Sequence, residues 1–320
     1  MSIKDLKDEI SEEVATILGK DFKITVTSTD NVPHSGDGAI TFPNLDAKTQ
    51  GTKLIDTCVL YIDIRRSTEL NLAHKPQTVA KLYSAFVRAM TRCARHHKGH
   101  VRGIIGDRVM VLFDKKDCFV NAVECAFSMN SVAKYVIDKH FKANEVTCGI
   151  GIDTGKMLAT KTGVRRHGAE QANYRNLVWL GRPANVASKL TDLANKAGED
   201  VTIPMVHVAT EQMSLFANDP KWAEYFPSDF VRRLYVPNGS RQIQYSDAAF
   251  VTMFTKDRTF NRRPSTDPIL MTEAVWNGYK TAAPTANAVT KGWFKAVDIS
   301  VPGYAGNVYG GDVHYTAFKT

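Results

Sequence analysis

Hydrophobic residues along the chain follow two periods, one typical of buried strands and one typical of helices with a single apolar face. Residues 58–63 are apolar except for the terminal aspartate, which favours a buried strand. From Pro76, a favoured first helical residue, apolar side chains recur every three or four positions until Gly99, which suits a helix end. The stripe consists of Val79, Leu82, Phe86, Met90 and Cys93. This pattern predicts a helix packed on a sheet.

The alternation continues through the middle of the chain. Strands at 101–105 and 109–113 are predicted to form a hairpin at Gly106-Asp107, because glycine permits the positive φ of a tight turn. A second helix is predicted at about 117–140 and a strand at 146–153. The order β-α-β-β-α-β predicts an α+β fold, ferredoxin-like in its first six elements, with helices on one face of an antiparallel-containing sheet. The elements predicted next are a strand at 157–160, a polar loop at 161–172, a strand at 176–180, a helix from Pro183 to Leu193 and a strand at 201–208.

The flanks differ from this central pattern and suggest three regions. Residues 1–50 form a lead-in with one short amphipathic helix, whose apolar positions are Leu6, Ile10, Val14 and Ile17. Residues 51–245 form the central domain. Residues 246–320 form a C-terminal extension rich in Gly, Thr, Asn, Ala and aromatic residues, in which we expect no helical periodicity. Its aromatic content favours a segment folded onto the core or onto a partner.

Composition narrows the class of protein. With 43% hydrophobic and 23% charged residues, the 320-residue chain has the composition of ordinary globular domains. No apolar run is long enough for a membrane span or a secretory signal. The five cysteines form no CxxC pair and are expected to be reduced core residues. We therefore expect a soluble, cytoplasmic protein without a membrane partner.

The net charge of +8 favours a polyanionic partner. No run of five or more basic residues occurs, and the densest groups are Arg65-Arg66 and 165–167, in predicted loops. This distribution favours phosphate groups held at a site over nucleic acid, for which a basic stripe with interleaved aromatic residues is expected.

Two aspartates are the strongest candidates for chemistry. Asp63 ends a buried strand before a polar loop, and Asp107 lies at the tip of the predicted hairpin. In a ferredoxin-like sheet these elements are neighbours, so the two carboxylates can converge at one edge. Oxygen ligands of this kind suit Mg²⁺ or Mn²⁺, and two ions can clamp an attacking oxygen and a transferring phosphoryl group. The alternative is that Asp63 caps the following segment and Asp107 is only a turn residue.

Four motifs resemble the class III nucleotidyl cyclases. Residues 61–68, Tyr-Ile-Asp-Ile-Arg-Arg-Ser-Thr, resemble the first metal motif of that family, and Gly106-Asp107 resembles the second. Residues 149–155 resemble its core strand and turn, and residues 181–190 resemble the catalytic helix that normally reads Asn-x-x-x-Arg. The resemblance covers about residues 57–209, roughly half of the chain.

The resemblance implies a head-to-tail homodimer with two composite active sites. Each site would take Asp63 and Asp107 from one subunit and the catalytic residues Asn185 and Lys189 from the other. Two Mg²⁺ or Mn²⁺ ions would be bound by the aspartates and the Ile64 carbonyl. The phosphates of an NTP would be held by backbone amides and hydroxyls in the loop formed by Arg65, Arg66, Ser67 and Thr68. The reaction would be attack of the ribose 3′-hydroxyl on the α-phosphorus, with pyrophosphate leaving.

The catalytic helix departs from the family at one position. Asn185 and Lys189 are four residues apart and so share a helix face. Lysine supplies a point charge where the planar fork of arginine is usual, which puts turnover in question more than fold. The arginines that could compensate are Arg165, Arg166, Arg175 and Arg182. The alternative for this helix is an exposed polar face.

The positions that read a purine in adenylate cyclases of the family are altered. They correspond to Gly103 and Val178, neither of which can make the expected hydrogen bond. Tyr61 is two residues before Asp63, on the same strand face, where its hydroxyl could contact the base or narrow the pocket. Alternatively, Tyr61 is a core residue. With the Arg-Arg-Ser-Thr loop, the chain resembles the pyrimidine cyclases of bacterial anti-phage (Pycsar) systems, which signal to a separate effector protein.

The resemblance therefore implies a pyrimidine cyclase, with UTP slightly favoured over CTP. A purine cyclase with an atypical base pocket remains an alternative, and so does a cyclase-like nucleotide-binding module that has lost catalysis. A nucleic-acid-binding protein is the least favoured interpretation.

Overall fold

The computed structural model describes residues 2–141, 146–163, 177–211 and 220–319. The helices are α1 (Ile3–Ile17), α2 (Ser67–Ala73), α3 (Pro76–His96), α4 (Cys118–Val132), α5 (Asp138–Phe141), α6 (Arg182–Leu193), α7 (Pro227–Val231), α8 (Glu273–Ala282) and α9 (Asn287–Thr290), with a π-helical turn at Ala133–Ile137 and a 3-10 turn at Thr316–Phe318. The strands are β1 (Lys23–Ser28), β2 (Thr49–Ile64), β3 (Gly99–Ile105), β4 (Arg108–Phe113), β5 (Cys148–Thr160), β6 (Val178–Leu180), β7 (Glu199–Thr210), β8 (Lys221–Tyr225), β9 (Leu234–Tyr235), β10 (Gln244–Tyr245), β11 (Phe250–Arg263), β12 (Ile269–Thr272), β13 (Lys295–Val297) and β14 (Val308–Gly311).

The main sheet confirms the predicted ferredoxin-like core. Its strand order is β13-β14-β12-β5-β2-β4-β3, with β1 paired to β2 and β6 paired to β5. The six predicted elements are β2, α3, β3, β4, α4 and β5. Within them β2 is antiparallel to both β4 and β5, and β3 is antiparallel to β4. The ends of β2 and of the β3–β4 hairpin therefore meet at one edge, as the candidate chemistry requires.

The largest hydrophobic cluster lies between this sheet and a layer formed by α3, α4 and α8. Helix α3 buries Leu82, Phe86 and Met90 in the same cluster as Leu60 and Ile62 of β2. Helix α6 covers the opposite face of β2 and β5 with a separate cluster, so the expectation of helices on one face is wrong for α6. All five cysteines are buried free thiols, as expected. No helix within the described residues is both long enough and apolar enough to cross a membrane.

Strand β5 differs from the prediction. Residues 146–153 and 157–160 are predicted as separate strands, yet β5 runs without a break from Cys148 to Thr160. Gly155 lies inside it at φ +146°, a backbone conformation that other residues rarely adopt. Thr154 and Gly155 therefore mark a distortion within β5 and not the end of a strand.

The C-terminal extension completes the main sheet. Strand β12 pairs in parallel with β5, and β14 pairs with β12 and β13. The expectation of no helical periodicity is wrong for α8, which buries Val275, Trp276 and Tyr279. Its apolar stripe has only three large members, which is why the pattern is faint in the sequence. From residue 266 onward the extension is folded onto the core, one of the two outcomes that its aromatic content favoured.

Two compact units can be separated within the chain. One contains residues up to 196 together with those from 266 onward, and the other is Ala197–Ser265. The second unit has a three-stranded sheet in the order β11-β7-β8 and a β9–β10 pair. The predicted division into 1–50, 51–245 and 246–320 uses different boundaries and stays a prediction.

Candidate active site

The two predicted metal-binding aspartates lie together at the edge of the main sheet. Asp63 is at the end of β2, and Asp107 follows Gly106, which turns the β3–β4 hairpin at φ +61°. Burial raises the pKa of Asp107 to about 6, with a further contribution from the negative charge of Asp63. Asp107 Oδ2 is buried and has no hydrogen-bond partner. Helix α2 has Arg66 as its N-cap, without a side-chain cap, so Asp63 does not cap that helix.

Arg108 connects this edge to α6 and was not identified from the sequence. Its Nη2 donates to Asp63 Oδ2 at 2.7 Å and also to Asp192, while its Nη1 donates to Ser188 Oγ at 2.9 Å. The Asp63 side chain is only 16% exposed, so this pairing offsets the cost of burying its charge. Ser188 and Asp192 are four residues apart on α6, a spacing that could have indicated a shared partner.

Two glycines of β5 allow α6 to approach the sheet. A Cβ on Gly151 would lie 2.2 Å from the Ala187 carbonyl oxygen, and one on Gly149 would lie 2.8 Å from the Thr191 carbonyl oxygen. Thr191 Oγ1 also donates to the Tyr61 carbonyl at 3.2 Å. The Gly-x-Gly spacing of β5 therefore fixes the position of the helix that bears Asn185 and Lys189.

Asn185 and Lys189 lie on the polar side of α6, but their environments differ. Asn185 is exposed. Lys189 is half-buried, and its Nζ donates to the Pro302 carbonyl at 2.8 Å. In this single chain neither side chain forms a hydrogen bond or an ion pair with Asp63 or Asp107, so the predicted site is not assembled within one subunit.

The four predicted phosphate-binding residues lie between β2 and the first turn of α2, and they differ in which of their groups are already hydrogen-bonded. The Arg65 amide donates to the Thr147 carbonyl at 2.7 Å, so it is already used within the fold. The Arg65 guanidinium donates to the Asp192 carbonyl at 3.2 Å and lies 3.8 Å from Asp63. Arg66 is exposed at φ +53°. Ser67 and Thr68 are the first residues of α2.

The predicted base-contacting residues share a neighbour that the sequence did not reveal. The side chain of Met110 is buried, and Met110 is paired in register with Tyr61 on one side and Gly103 on the other. The Tyr61 hydroxyl donates to Met110 Sδ at 2.9 Å, and burial raises the pKa of Tyr61. Val178 is half-buried on β6. The apolar residue Met110 therefore lies between Tyr61 and Gly103 in the sheet.

Of the four arginines proposed to compensate for Lys189, only Arg182 falls in the described part of the chain. Arg182 Nη1 is 3.3 Å from the buried carboxylate of Asp153, and Arg182 Nη2 donates to the Thr154 carbonyl at 3.1 Å. Arg165, Arg166 and Arg175 lie outside the described residues. Arg182 is therefore engaged with β5.

The residues at the edge suit a divalent cation. No group of three or more His, Cys, Asp or Glu residues that could hold a metal occurs in the described ranges, so the candidate ligands are a carboxylate pair. The unpartnered Asp107 Oδ2 and its raised pKa fit such a cation, because a positive charge would relieve both the desolvation and the repulsion from Asp63. With two carboxylates, further oxygen ligands must come from the backbone, water or substrate phosphates.

A family model and sequence relatives indicate the family of this chain. The model of the adenylate and guanylate cyclase catalytic domain matches residues 50–221. A uridylate cyclase from Burkholderia cepacia is 29% identical over 194 residues, covering 58% of this chain and 79% of that protein. A uridylate cyclase from Xanthomonas perforans is 30% identical over 194 residues, covering 59% and 77%. The structure of the adenylyl cyclase CyaB from P. aeruginosa has a TM-score of 0.46 at 17% identity, covering 81% of this chain and 95% of that one.

Proposed function

Because the chain belongs to the adenylate and guanylate cyclase catalytic domain family, a class III nucleotide cyclase family, we propose that it converts UTP to 3′,5′-cyclic UMP and pyrophosphate. The observation that carries this proposal is the carboxylate pair Asp63 and Asp107, brought together at the sheet edge with one buried oxygen unpartnered. The choice of UTP is supported by relatives named uridylate cyclase.

The active site is proposed to form between two subunits. Asp63 and Asp107 of one subunit face Asn185 and Lys189 of its partner in a homodimer. This arrangement is supported by the exposure of Asn185, which forms no hydrogen bond to the carboxylates of its own chain. Two such sites form per dimer, as twofold symmetry requires.

The reaction joins the ribose 3′-oxygen to the α-phosphorus and breaks the bond from that phosphorus to the β-phosphate. Bound Mg²⁺ or Mn²⁺, two ions per site, would lower the pKa of the 3′-hydroxyl and neutralise the phosphates. Asp63, Asp107 and the Ile64 carbonyl would hold these ions, and the proton lost from the hydroxyl would pass to solvent. Asn185 orients the ribose, and Lys189 supplies positive charge to the triphosphate. Catalysis thus depends on positioning and electrostatics.

Phosphate binding is assigned to the loop from Arg65 to Thr68. Since the Arg65 amide already donates within the fold, the amides and hydroxyls of Ser67 and Thr68 and the side chain of Arg66 are the available groups. The Arg65 guanidinium instead contacts Asp63 and α6, so we assign it a positioning role.

Selection of a pyrimidine is assigned to Tyr61, Gly103 and Val178. Gly103 and Val178 offer no polar side chain to a purine, and Tyr61 with Met110 narrows the space near the carboxylates. To distinguish UTP from CTP, a side chain must recognise the carbonyl of uracil and not the amino group of cytosine. Tyr61 is the polar side chain that we assign to this contact. The cyclic UMP is proposed to serve anti-phage defence through a separate effector protein, which rests on the resemblance to Pycsar cyclases.

Incubation of the purified protein with each of the four NTPs and Mn²⁺, followed by mass identification of products, tests the function. Cyclic UMP as the main product supports the proposal, whereas cyclic AMP or cyclic GMP refutes the base assignment. No product from any NTP, with nucleotide binding retained, favours the inactive module. A Tyr61→Phe variant with unchanged selectivity among the four NTPs removes the hydroxyl from base reading.

A further inference from the structure

The positive charge of the chain is concentrated in one segment. Residues 70–106 contain seven Lys or Arg residues and no Asp or Glu, whereas the formal net charge of the whole chain is +8. Most of this segment is α3 and β3, and Gly103 is its only residue assigned to the proposed active site. The excess charge therefore belongs to one part of the fold.

Helix α3 gathers these charges on its outward side. Its inward side is buried in the core, while Lys81, Arg88, Arg92 and Arg95 are exposed. None of the four has an ion-pair or hydrogen-bond partner among the residues that the structure describes. Arg88, Arg92 and Arg95 are spaced by four and three residues, so they form one stripe with a length of about 10 Å.

Two adjoining depressions follow this stripe. The first has a volume of about 680 Å³ and is lined by Arg88, Thr91, Arg92, Arg95 and His96. The second has a volume of about 750 Å³ and shares Arg88 and Arg92 with the first. Its apolar lining consists of Leu82, Ala85, Ala89, Val136, Ile137 and Phe141. A cationic cleft is thus continuous with an apolar cavity.

Stabilisation of the helix by its dipole accounts for only some of the positive residues on α3. Arg95 and His96 are in the last turn of α3, where positive side chains interact favourably with the helix dipole. Lys81, Arg88 and Arg92 are in the body of the helix, where that effect has faded. Four unpaired cations on one face instead repel one another, which an external polyanion would relieve.

We propose that the outward face of α3 binds single-stranded nucleic acid, with consecutive phosphates on Arg88, Arg92 and Arg95 and an unstacked base in the apolar cavity. The guanidinium fork matches phosphate oxygens. A duplex offers the phosphates but no free base to fill the cavity. A membrane is disfavoured because no large hydrophobic side chain of α3 is exposed. The sequence disfavoured nucleic acid for lack of a basic stripe, but the helix creates one from residues that are separate in sequence.

The test uses fluorescence anisotropy of a labelled single-stranded RNA oligonucleotide with the full chain at several salt concentrations. We expect the double variant Arg88→Glu and Arg92→Glu to bind at least about tenfold more weakly than wild type. The slope of log affinity against log salt should also become shallower by about 0.7 for each phosphate that is no longer bound. The control is the double variant Lys291→Glu and Lys295→Glu, which makes the same charge change at exposed positions elsewhere and should bind within about threefold of wild type. Both variants should keep the wild-type melting temperature and basal nucleotide turnover.

Three outcomes overturn the proposal: no RNA binding by the wild type, equally weakened binding in both double variants, or equally tight binding of a polyglutamate peptide at the same salt. The apolar cavity is tested by Ala85→Trp, a substitution at an exposed position on its rim that fills the cavity. It should weaken single-strand binding while leaving duplex binding unchanged. A wild type that prefers duplex to single strand refutes the base-in-cavity arrangement.

Discussion

Arginines at the sheet edge and arginines on the outer face of α3 differ in where their charge is compensated. At the edge, Arg108 pairs with Asp63 and Asp192, and Arg65 lies 3.8 Å from Asp63. On α3, the exposed arginines pair with no carboxylate of the described chain. Paired arginines hold structural elements together, whereas unpaired ones leave their charge for another molecule.

The paired arginines at the edge position structural elements, whereas the unpaired arginines of α3 are available to bind a partner. Arg108 spans β4, β2 and α6, so it fixes the position of the carboxylates relative to α6 of the same subunit. The α3 stripe contributes nothing comparable to the fold, since its side chains project away from the core. Substitutions in the first region should therefore affect activity and stability, and substitutions in the second should affect only binding of a partner.

The largest effect is expected from the carboxylates. Asp63→Asn or Asp107→Asn should reduce turnover by about 100-fold or more, because each removes a charged oxygen ligand at the edge of the sheet. Folding should be retained, since neither side chain packs in the hydrophobic core. Steady-state kinetics with Mn²⁺, together with circular dichroism, measure both quantities. Most activity surviving in either variant would rule out a site built on two carboxylates.

The next largest effect comes from mixing inactive variants. Asp63→Asn protein and Asn185→Ala protein should each be inactive, but a mixed dimer contains one site with every ligand intact. With random exchange in equal amounts, about a quarter of the wild-type activity should return. The control mixes Asp63→Asn with Asp107→Asn, which leaves no intact site in any dimer. If mixed dimers are demonstrated by mass spectrometry and activity does not return, the composite site is wrong.

How far the sequence predicted the molecule depends on the range of the interactions. The order of the six core elements follows from local periodicity, and the juxtaposition of Asp63 and Asp107 follows from that order. The same holds for the shared face of Asn185 and Lys189, because helix geometry alone determines it. These features require no knowledge of distant partners.

Features that depend on distant pairing were missed. Asp192 meets Arg108 across 84 positions, and no local pattern joins them. Met110 reaches Tyr61 only through the register of β2 and β4. Strand β12 pairs with β5, although the two strands are far apart in the sequence. No local pattern in β12 indicates which strand it pairs with. The basic stripe of α3 is different, because it is local but consists of arginines three or four residues apart that form no continuous basic run in the sequence.

A smaller effect, on stability, should distinguish a bridging arginine from an exposed one. Arg108→Ala should lower the free energy of unfolding of the metal-free protein by about 2 kcal/mol, because it leaves the poorly exposed Asp63 without its closest partner. Arg66→Ala is the matched control, since Arg66 is exposed and lies 3.7 Å from an exposed Glu69, a pair worth less than about 0.5 kcal/mol. Urea denaturation in EDTA measures both. Equal destabilisation of the two variants would contradict the bridging role of Arg108.

The smallest expected effects concern pH, and they have opposite signs at the two regions. Burial lowers the pKa of His97, at the end of α3, to about 4, so the unfolded chain takes up a proton first and stability falls as pH drops from 6.5 towards 4. Asp107 has its pKa raised to about 6, so without metal the folded state takes up the proton first, and stability rises as pH drops from 6 towards 3.8. Each contribution is about 1 kcal/mol after allowance for partial exposure. In EDTA, Asp107→Asn should therefore be more stable than wild type at pH 7 and lose about half of that advantage at pH 5, whereas His97→Gln should gain relative to wild type at pH 5. Urea denaturation at both values measures these differences, and a change of the same sign in both variants would refute the assignment of opposite proton linkages.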